Sequence, residues 1–439
     1  MARKTARPTS GAPARHREPV QPPDAIWLQD SPTNLMVING VYVTDHVDLD
    51  TARAIFQERV LDKDGGEAFP RFRKRVVYVR GRPYWEDDPD FTLERHLVPA
   101  PVSRLATAHD LRDFISAGAD APLDPARPRW LIQHIDDYED GASAFVVRVH
   151  HSMADGIAIL PVILSLMDEV RTDERLHGVP VRPLLNRLRT AVTMPVIGPL
   201  VLLQRALWRR DRHALHGPAP SGKKRVAWTR PFPLEVVKHV KNKFGATVND
   251  VLMATVSGAI MSYVEGRTGV RIPHVRISMP VNMRGPKESV RMENRFAAVP
   301  ITLPTPRDLK ERLAATKVQL DAMKRGLTPL TIFGVVHLFL RALPFGVSRL
   351  LIDFFANKCT SVVTNVPGPT HELFLGGRRL RQLMFWVPQR ATIGVGISIL
   401  TFAGNVQLGV IADTRLIEDP EVLVLALEAE LEALAEHAG

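Results

Sequence analysis

Residues 148–160, RVHHSMADGIAIL, place two histidines, an aspartate and a glycine in one short run. A neutral imidazole can take a proton from a hydroxyl group near physiological pH, so the run could carry general base chemistry. The residues before it have the β-branched and aromatic character of a strand, in which successive side chains alternate between faces. His150 and His151 therefore point to opposite faces, and only one can reach a given cleft. Asp155 and Gly156 are typical of a turn into a helix.

Three interpretations fit these residues. The histidine pair could simply end the strand, with Asp155 capping the next helix. A metal site is the second, although adjacent histidines on a strand diverge and the sequence has no HExxH motif or cysteine-rich ligand set. The third makes a histidine the base for attack of a hydroxyl on a thioester carbonyl. The residues alone leave the first and third open.

The elements around this run alternate between strands and helices. Strand-like patterns cover residues 75–79, 130–135 and 142–149. Helical spacing of apolar residues occurs within residues 41–74, and residues 418–438 form an amphipathic Ala/Leu/Glu pattern. This alternation predicts α/β or α+β architecture.

The length of 439 residues favours two domains or two halves of one large domain. Residues 1–22 are predicted to be a disordered basic arm, because they lack the apolar segment of a secretory signal. Residues 23–171 form the predicted N-terminal half with the histidine pair. Residues 172–224, rich in Pro and Arg, are predicted to connect the halves through an apolar and basic helix, and residues 225–439 form the C-terminal half.

Charge and cysteine content restrict the partners and the compartment. The net charge of +10 suits an anionic partner such as CoA, an anionic lipid or a nucleic acid. Nucleic-acid binding is disfavoured, because the basic residues are spread along the chain, aromatic content is 6% and no recognition motif is present. The single cysteine, Cys359, cannot form an intramolecular disulfide, so a reducing cytoplasm is predicted.

Two apolar segments, residues 191–203 and 327–340, are too short to span a bilayer and are followed closely by arginines. They could lie on a membrane surface with the cations toward anionic headgroups, or they could be buried core helices. Two such segments in one basic protein favour peripheral attachment to a membrane.

The HHSMADG run matches the HHxxxDG signature of the CoA-dependent acyltransferase superfamily, which includes chloramphenicol acetyltransferase and peptide-synthetase condensation domains. The whole chain after the arm resembles the bacterial wax ester synthase/diacylglycerol acyltransferase family. The resemblance rests on motifs in the same order along the chain: FTLERHLV, PLDPARPRW, HHSMADG, TVNDVLMATVSGAI, SMPVNMRG, ENRFAAVPITLP, VVTNVPGP and GISILTFAGNVQLGVIAD.

This resemblance implies two chloramphenicol-acetyltransferase-like α/β sandwich halves with an active-site channel between them. It implies that His151 is the general base, which its position on the apolar face of the strand permits. By the same resemblance, His150 supports His151 from the opposite face of the strand, and Asp155 and Gly156 hold the turn in place. Arg284 is the expected partner of Asp155, although an exposed arginine at a turn is an equally good interpretation of that residue.

Three further residues are assigned to substrate or oxyanion binding by the resemblance. Asn249 belongs to an Asn-Asp pair close to the channel in that family, yet Thr247 and Asp250 also form a capping-box pattern that opens a helix. Thr364 or Asn365 could donate to the developing oxyanion from the strand in VVTNVPGP.

The implied reaction moves a fatty acyl group from acyl-CoA to diacylglycerol or a long-chain alcohol, without a metal, a redox cofactor or a covalent acyl-enzyme. A carrier-protein-dependent condensation enzyme and a non-catalytic lipid-droplet protein with the same fold are the alternatives. One residue departs from the family pattern: Arg129 stands where the family's Pro-Leu-Trp triplet has leucine, which leaves substrate selectivity open. The sequence predicts no oligomeric state.

Overall fold

The computed structural model describes residues 16–168, 184–211, 213–285, 288 and 290–438, with the side chains of residues 184–194 and 438 excepted. The strands are β1 (Arg17–Pro19), β2 (Val37–Asp45), β3 (Lys74–Val79), β4 (Arg82–Asp87), β5 (Leu97–Pro99), β6 (Arg104–Leu105), β7 (Trp130–Tyr138), β8 (Ala142–His150), β9 (Lys224–Trp228), β10 (Phe232–Pro233), β11 (His274–Asn282), β12 (Phe296–Pro304), β13 (Ser361–Pro367), β14 (Phe374–Leu375), β15 (Arg378–Trp386), β16 (Val395–Phe402) and β17 (Asn405–Asp413). The α-helices are α1 (Pro22–Ala25), α2 (Leu49–Phe56), α3 (Ala108–Ala119), α4 (Gly156–Leu166), α5 (Leu184–Leu207), α6 (Leu234–Lys243), α7 (Val248–Thr268), α8 (Leu309–Arg325), α9 (Thr328–Ala342), α10 (Phe345–Ala356) and α11 (Glu421–Ala438).

Two large sheets organise the described part of the chain. The first has the order β14-β15-β2-β8-β7-β5 with β6 beside β7, and the second has the order β10-β17-β16-β13-β11-β12 with β9 beside β17. A small sheet, β1-β4-β3, stands apart from them. Helices α7, α8 and α11 pack together against the second sheet. The predicted two-part α/β architecture is confirmed.

Strand β8 lies in the middle of the first sheet, antiparallel to β2 on one side and to β7 on the other. Eight of its nine residues are buried because both faces of the sheet are covered at this strand. The strand ends at His150, where that residue pairs with Val37 of β2. The next residue, His151, therefore leaves the sheet at the end of a rigid and fully supported strand.

Strand β13 has the corresponding central place in the second sheet, where it runs parallel to β11 and β16. Parallel neighbours need long crossover connections, and helices α8, α9 and α10 lie in the connection between β12 and β13. Helix α7 is buried along most of its length and forms the centre of this half's hydrophobic core. Of the three connecting helices, α8 packs against α7, and α9 and α10 pack against each other.

The C-terminal part of the chain supplies two strands to the first sheet, so the assignment of residues 225–439 to a single half does not hold throughout. Strands β14 and β15 belong to the first sheet, where β15 pairs with β2. Trp386 of β15 is fully buried and donates its indole N–H to the Ala227 carbonyl of β9, 3.2 Å away. Without β15, strand β2 would be an unpaired edge. Gly40 permits this pairing, since a Cβ there would lie 3.3 Å from the Met384 carbonyl oxygen.

The predicted disordered arm, residues 1–22, is wrong for its last residues. Residues 1–15 lie outside the described residues. Strand β1 pairs antiparallel with β4, with Arg17 opposite Glu86, and the two side chains form an ion pair at 3.3 Å. Pro22 then begins α1. Proline is favourable at this position because the first N–H groups of a helix have no partner within the helix, and proline has no N–H. The end of the arm is ordered because the edge of the small sheet bonds its backbone.

The predicted connection, residues 172–224, contains helix α5 and reaches β9 at Lys224. Residues 172–183 lie outside the described residues.

Strand β2 has no counterpart in the sequence prediction. Its last residues fall within residues 41–74, where helical spacing of apolar residues was predicted. Asn39 and Gly40 interrupt its alternation of apolar residues, so the local pattern of a strand is weak there.

Across the described ranges, no single helix has both the length and the apolar character needed to cross a membrane. Helices α6 and α7 satisfy the requirements for length and apolar character only when taken together, and they are bent by 101° relative to each other.

Candidate active site

The HHxxxDG turn is built by the end of β8 and the start of α4. Asp155 is the N-cap of α4, and its carboxylate accepts a hydrogen bond from the Ala158 backbone N–H at 2.8 Å. Gly156 follows at the point where the helix passes β13. A Cβ at this position would stand 3.3 Å from Cγ2 of Val366, so the close approach of helix and strand favours glycine. The sequence therefore forms a short, tight turn that carries His151.

Asp155 also holds the second half of the protein. The guanidinium Nη1 of Arg284 lies 3.1 Å from Oδ1 and 2.9 Å from Oδ2 of Asp155, and both side chains are buried. The Arg295 backbone N–H donates to the same carboxylate at 2.8 Å. Nη2 of Arg284 donates to the Glu293 carbonyl at 2.5 Å. The structure thus brings together the two residues that the sequence analysis paired, and the resulting ion pair joins the HHxxxDG turn to the end of β11.

The imidazole of His151 lies in an aromatic enclosure. Trp27 stacks on it with ring centroids 3.8 Å apart and planes inclined by 14°, and the Phe296 ring is 5.8 Å away. The residue is 6% exposed. This burial lowers the pKa of His151 from its ordinary value of 6.5 to about 4, because a charged ring would lose its hydration. His151 is consequently neutral at pH 7.

The other edge of the His151 ring contacts an asparagine from the second half. Oδ1 of Asn294 lies 2.9 Å from Nδ1 of His151. The Asn294 side-chain amide N–H groups reach the His151 carbonyl at 2.6 Å and Oδ1 of Asp24 at 2.9 Å. Sequence reasoning missed Asn294, Asp24 and Trp27 as site residues. The ENRF run marked the neighbourhood of Asn294, but no residue spacing links any of the three to His151.

His150 has a separate set of partners. Its Nδ1 accepts from the Ser152 backbone N–H at 3.2 Å, so Nε2 carries the proton and donates to Oδ2 of Asp30 at 2.9 Å. Arg129 is buried beside this pair, with Nη1 3.6 Å from the same Asp30 oxygen. Both ring nitrogens of His150 are therefore engaged away from the cavity, and its role is to hold the end of β8.

A cavity of about 230 Å³ lies where the two halves meet. His151, Asp155 and Gly156 line it from the first half. Arg284 and residues of β12 and β13 line it from the second half, and helices α5, α9 and α10 close its far side. Most of the lining side chains are apolar, so the cavity suits a hydrocarbon chain.

Thr364 and Asn365 of β13 both line this cavity, whereas Asn249 stands behind them. The Asn365 side-chain amide donates to Oδ1 of Asn249 at 3.1 Å. The predicted capping box at the start of α7 is also present, with Thr247 and Asp250 bonding each other's backbone N–H groups. Asn249 therefore contacts a residue that lines the cavity, and its neighbours Thr247 and Asp250 also cap α7 as predicted.

Among the residues that the structure describes, no three His, Cys, Asp or Glu side chains converge in a way that could hold a metal ion.

Two mixed α/β halves that meet at an HHxxxDG turn define the acyltransferase class to which condensation domains also belong. The first condensation domain of the calcium-dependent antibiotic synthetase has the same fold, with a TM-score of 0.58, 15% identity and coverage of 96% of each chain. The wax ester synthase/diacylglycerol acyltransferase from Marinobacter aquaeolei VT8 is more similar, with a TM-score of 0.69, 22% identity and coverage of 96% of this chain and 100% of that one.

The chain belongs to the wax ester synthase/diacylglycerol acyltransferase family. Residues 21–211 match the family's catalytic domain, and residues 292–435 match its C-terminal domain. A protein of Mycobacterium tuberculosis named as a diacylglycerol O-acyltransferase is 27% identical over 390 residues, covering 82% of this chain and 83% of that protein. A second protein of the same name and organism is 25% identical over 416 residues, covering 88% and 90%.

The buried pair of Asp155 and Arg284 yields a stability prediction. We expect Asp155→Ala to lower the free energy of unfolding by roughly 3–5 kcal/mol, because it leaves a buried guanidinium without its charge partner. The double variant Asp155→Ala/Arg284→Met is expected to be more stable than Asp155→Ala alone. Thermal and urea unfolding followed by circular dichroism would measure both. Glu432→Ala, which breaks an exposed pair with Arg230, is the control, with an expected change below about 1 kcal/mol. Equal stability of Asp155→Ala and the control would contradict the assignment.

Proposed function

We propose that this chain transfers a fatty acyl group from acyl-CoA to the hydroxyl of diacylglycerol or of a long-chain alcohol, with His151 as the general base. Acyl transfer follows from membership of the family and from the similarity to diacylglycerol O-acyltransferases. The choice of His151 rests on one observation: a neutral imidazole lines an apolar cavity between the halves. The products would be triacylglycerol or wax ester.

The first step is the attack of the acceptor hydroxyl on the thioester carbonyl. Nε2 of His151 takes the hydroxyl proton as the oxygen forms its bond to the carbonyl carbon, and the carbonyl oxygen becomes an oxyanion. General base action of this kind contributes roughly 10²–10⁴ in rate. Enclosure by Trp27 and Phe296 keeps water, a competing acceptor, away from the thioester.

The second step is the collapse of the tetrahedral intermediate. The carbonyl re-forms, the carbon–sulfur bond breaks, and the imidazolium of His151 returns its proton to the CoA thiolate. No covalent acyl-enzyme is needed. The single cysteine, Cys359, lines the cavity, but burial raises the pKa of its thiol to about 12, so it is protonated and a poor nucleophile. The chemistry assigned to these residues calls for no metal or redox cofactor, with acyl-CoA as a substrate.

The oxyanion needs hydrogen-bond donors in the same cavity. Thr364 is buried on β13 and offers a hydroxyl group, and Asn365 offers an amide that Asn249 holds in place. We assign the oxyanion contact to these β13 residues, with Asn249 as their support. They come from the second half while His151 comes from the first, so the reacting carbonyl would lie at the boundary of the two.

A lipid surface is the proposed partner of the helices that close the cavity. Helices α5 and α10 pack against α9, and the three present exposed apolar side chains: Val196, Ile197, Leu200, Leu203, Leu207, Leu338, Phe345, Val347, Leu350 and Phe354. Such a concentration on one set of neighbouring helices is unusual for a surface in water alone. Other residues of the same helices line the cavity, so a lipid acceptor could enter from this surface.

Cations stand beside these apolar side chains. Arg209 and Arg210 follow α5 directly, and Arg341 lies near the end of α9; all three are exposed. Together with the net charge of +10 they favour an anionic membrane or lipid-droplet surface. We therefore propose a cytoplasmic protein attached peripherally to the inner face of the membrane or to lipid droplets.

Activity is tested by following labelled acyl-CoA with diacylglycerol or hexadecanol as acceptor. We expect His151→Ala to reduce product formation by roughly 10²–10⁴, since the base is lost. His109→Ala is the matched control, because that histidine is exposed on α3 and distant in the fold from the cavity. Full activity of His151→Ala would refute the role of the base. Product only from carrier-bound acyl groups would point to a condensation enzyme, and no product with any acceptor would point to a binding protein.

The pH dependence of kcat/KM is a separate test of the base. Because the pKa of His151 is lowered to about 4, the ring keeps its basic form as the pH falls, and activity should decline only as the pH approaches 4. A base with its ordinary pKa would lose activity near 6.5.

Stability should also depend on pH, because burial lowers the pKa of His96, His134 and His150 in the folded protein. As the pH falls below about 6.5, the unfolded chain takes up protons at these histidines before the folded protein does, so the free energy of unfolding decreases. Circular dichroism at each pH separates unfolding from titration of the base.

Membrane attachment is tested by flotation with anionic liposomes. We expect Leu203→Glu/Leu350→Glu to reduce the bound fraction about tenfold or more, because burying one leucine contributes roughly 1.5–3 kcal/mol. The control replaces Leu425 by Glu: this leucine is comparably exposed, but on α11. High salt should weaken binding of the wild type. Equal flotation of the double variant and the control would exclude α5 and α10 as the contact surface.

A further inference from the structure

His151 is held from behind by polar groups that come from three separate parts of the chain. Oδ1 of Asn294 lies 2.9 Å from the ring Nδ1. Oδ1 of Asp24 accepts both the backbone N–H of Asn294, at 2.8 Å, and its side-chain amide N–H, at 2.9 Å. Arg71 donates to the other Asp24 oxygen at 2.7 Å and to the Met153 carbonyl of the HHxxxDG turn, also at 2.7 Å. Of these residues, His151 and Asn294 line the cavity, whereas Asp24 and Arg71 do not.

These contacts determine which way the Asn294 amide points. Its Nδ2 lies between the His151 carbonyl oxygen and the Asp24 carboxylate, which are both acceptors. Only an N–H group satisfies both, so the amide oxygen must face the His151 ring. Burial raises the pKa of Asp24, and the N–H donors of Arg71 and Asn294 oppose this shift by stabilising the carboxylate.

The orientation of the amide in turn determines the tautomer of the imidazole. Nδ1 of His151 faces two acceptors, Oδ1 of Asn294 and the backbone carbonyl of His151 itself. A neutral ring in this position carries its proton on Nδ1, and Nε2 is left with the free electron pair. The neighbouring ring of His150 has the opposite tautomer, because its Nδ1 accepts from the Ser152 backbone.

We propose that Asn294, oriented by Asp24 and Arg71, is a positioning residue that selects the Nδ1–H tautomer of His151 and so presents Nε2 as the base. The proposal rests on the proposed role of His151. Asn294 comes from the second half of the chain, whereas Asp24 and Arg71 come from the first. The base is therefore prepared for catalysis only when the two halves are docked.

A purely structural role for Asn294 is the competing explanation, and a second asparagine provides the matched control. Asn34 is buried and also joins distant parts of the chain, since it donates to the Ala391 carbonyl at 2.7 Å and accepts from Lys224 at 3.1 Å. It makes no contact with His151 among the hydrogen bonds described here. Asn34→Leu should thus cost stability without altering the ring.

The experiment compares the wild type with Asn294→Leu, Asn294→Asp and Asn34→Leu in the full-length protein. Nitrogen-15 NMR spectra of histidine-labelled protein distinguish protonated from unprotonated ring nitrogens, and His151→Ala identifies the signal of this residue. We expect Nδ1–H alone in the wild type, in Asn34→Leu and in Asn294→Asp, and a mixture of tautomers in Asn294→Leu. Melting temperature, kcat and KM are measured for each variant.

For Asn294→Leu we expect kcat to fall about 10²-fold with little change in KM, as for a misplaced catalytic group. Asn294→Asp keeps an acceptor at Nδ1 but places an oxygen against the Asp24 carboxylate and the His151 carbonyl, so it should recover only part of this loss in kcat. It should also shift the acid limb of the pH profile upward, because a carboxyl group at Nδ1 stabilises the imidazolium. Charged groups already near the ring are Asp155, paired with Arg284, and Asp24, paired with Arg71.

Three results would overturn the proposal. One is a wild-type ring protonated on Nε2, and another is a single Nδ1–H tautomer with undiminished kcat in Asn294→Leu. The third is an equal loss of kcat in Asn294→Leu, Asn294→Asp and Asn34→Leu that follows melting temperature alone. If His151→Ala keeps its activity while Asn294→Leu still alters the tautomer, the base assignment fails and the positioning role of Asn294 stands.

Discussion

The buried ion pair between Asp155 and Arg284 is the contact on which the site depends. It joins the turn after β8 in the first half to the end of β11 in the second. Removing two charges from water is costly, and their attraction offsets this cost only when the remaining hydrogen-bonding groups are also satisfied. Asp155 meets this condition, since its carboxylate also accepts hydrogen bonds from the backbone N–H groups of Ala158 and Arg295. The cavity beside His151 therefore has a defined shape only when both halves are in place.

The same docking keeps the His151 imidazole largely away from water. Trp27 comes from the segment after α1, Phe296 begins β12, and together they enclose the His151 ring. A ring in such surroundings resists protonation, so it stays in the neutral form that the proposed general base requires. Burial also makes the ring a weaker base, so in the proposed reaction positioning and oxyanion stabilisation would supply a large share of the rate enhancement. The contacts behind the ring are consequently as much a part of the site as the groups that face the substrate.

The departure from the family pattern at Arg129 has a local physical account. An arginine in place of leucine adds a buried charge beside His150, with Nη1 3.4 Å from the ring Nε2. Asp30 compensates that charge at 3.6 Å and accepts from His150 as well. These contacts hold the end of β8 on the side of the strand opposite to the His151 ring. Arg129 thus belongs to the support of the turn, and it is absent from the lining of the cavity.

The sequence by itself determined the strand, the turn and the capped helix around the histidine pair, because these depend on contacts within a few residues. It also indicated the partner of Asp155, through a family motif rather than through spacing. Only the tertiary structure decided that Asn294 supports His151, 143 residues away, and that β15 completes the first sheet. Contacts between such distant residues leave no periodic signal in the chain, since each side chain is compatible with many local structures. Their pairing is decided by how the hydrophobic residues of the two halves pack together, and two of the core clusters contain residues of both halves.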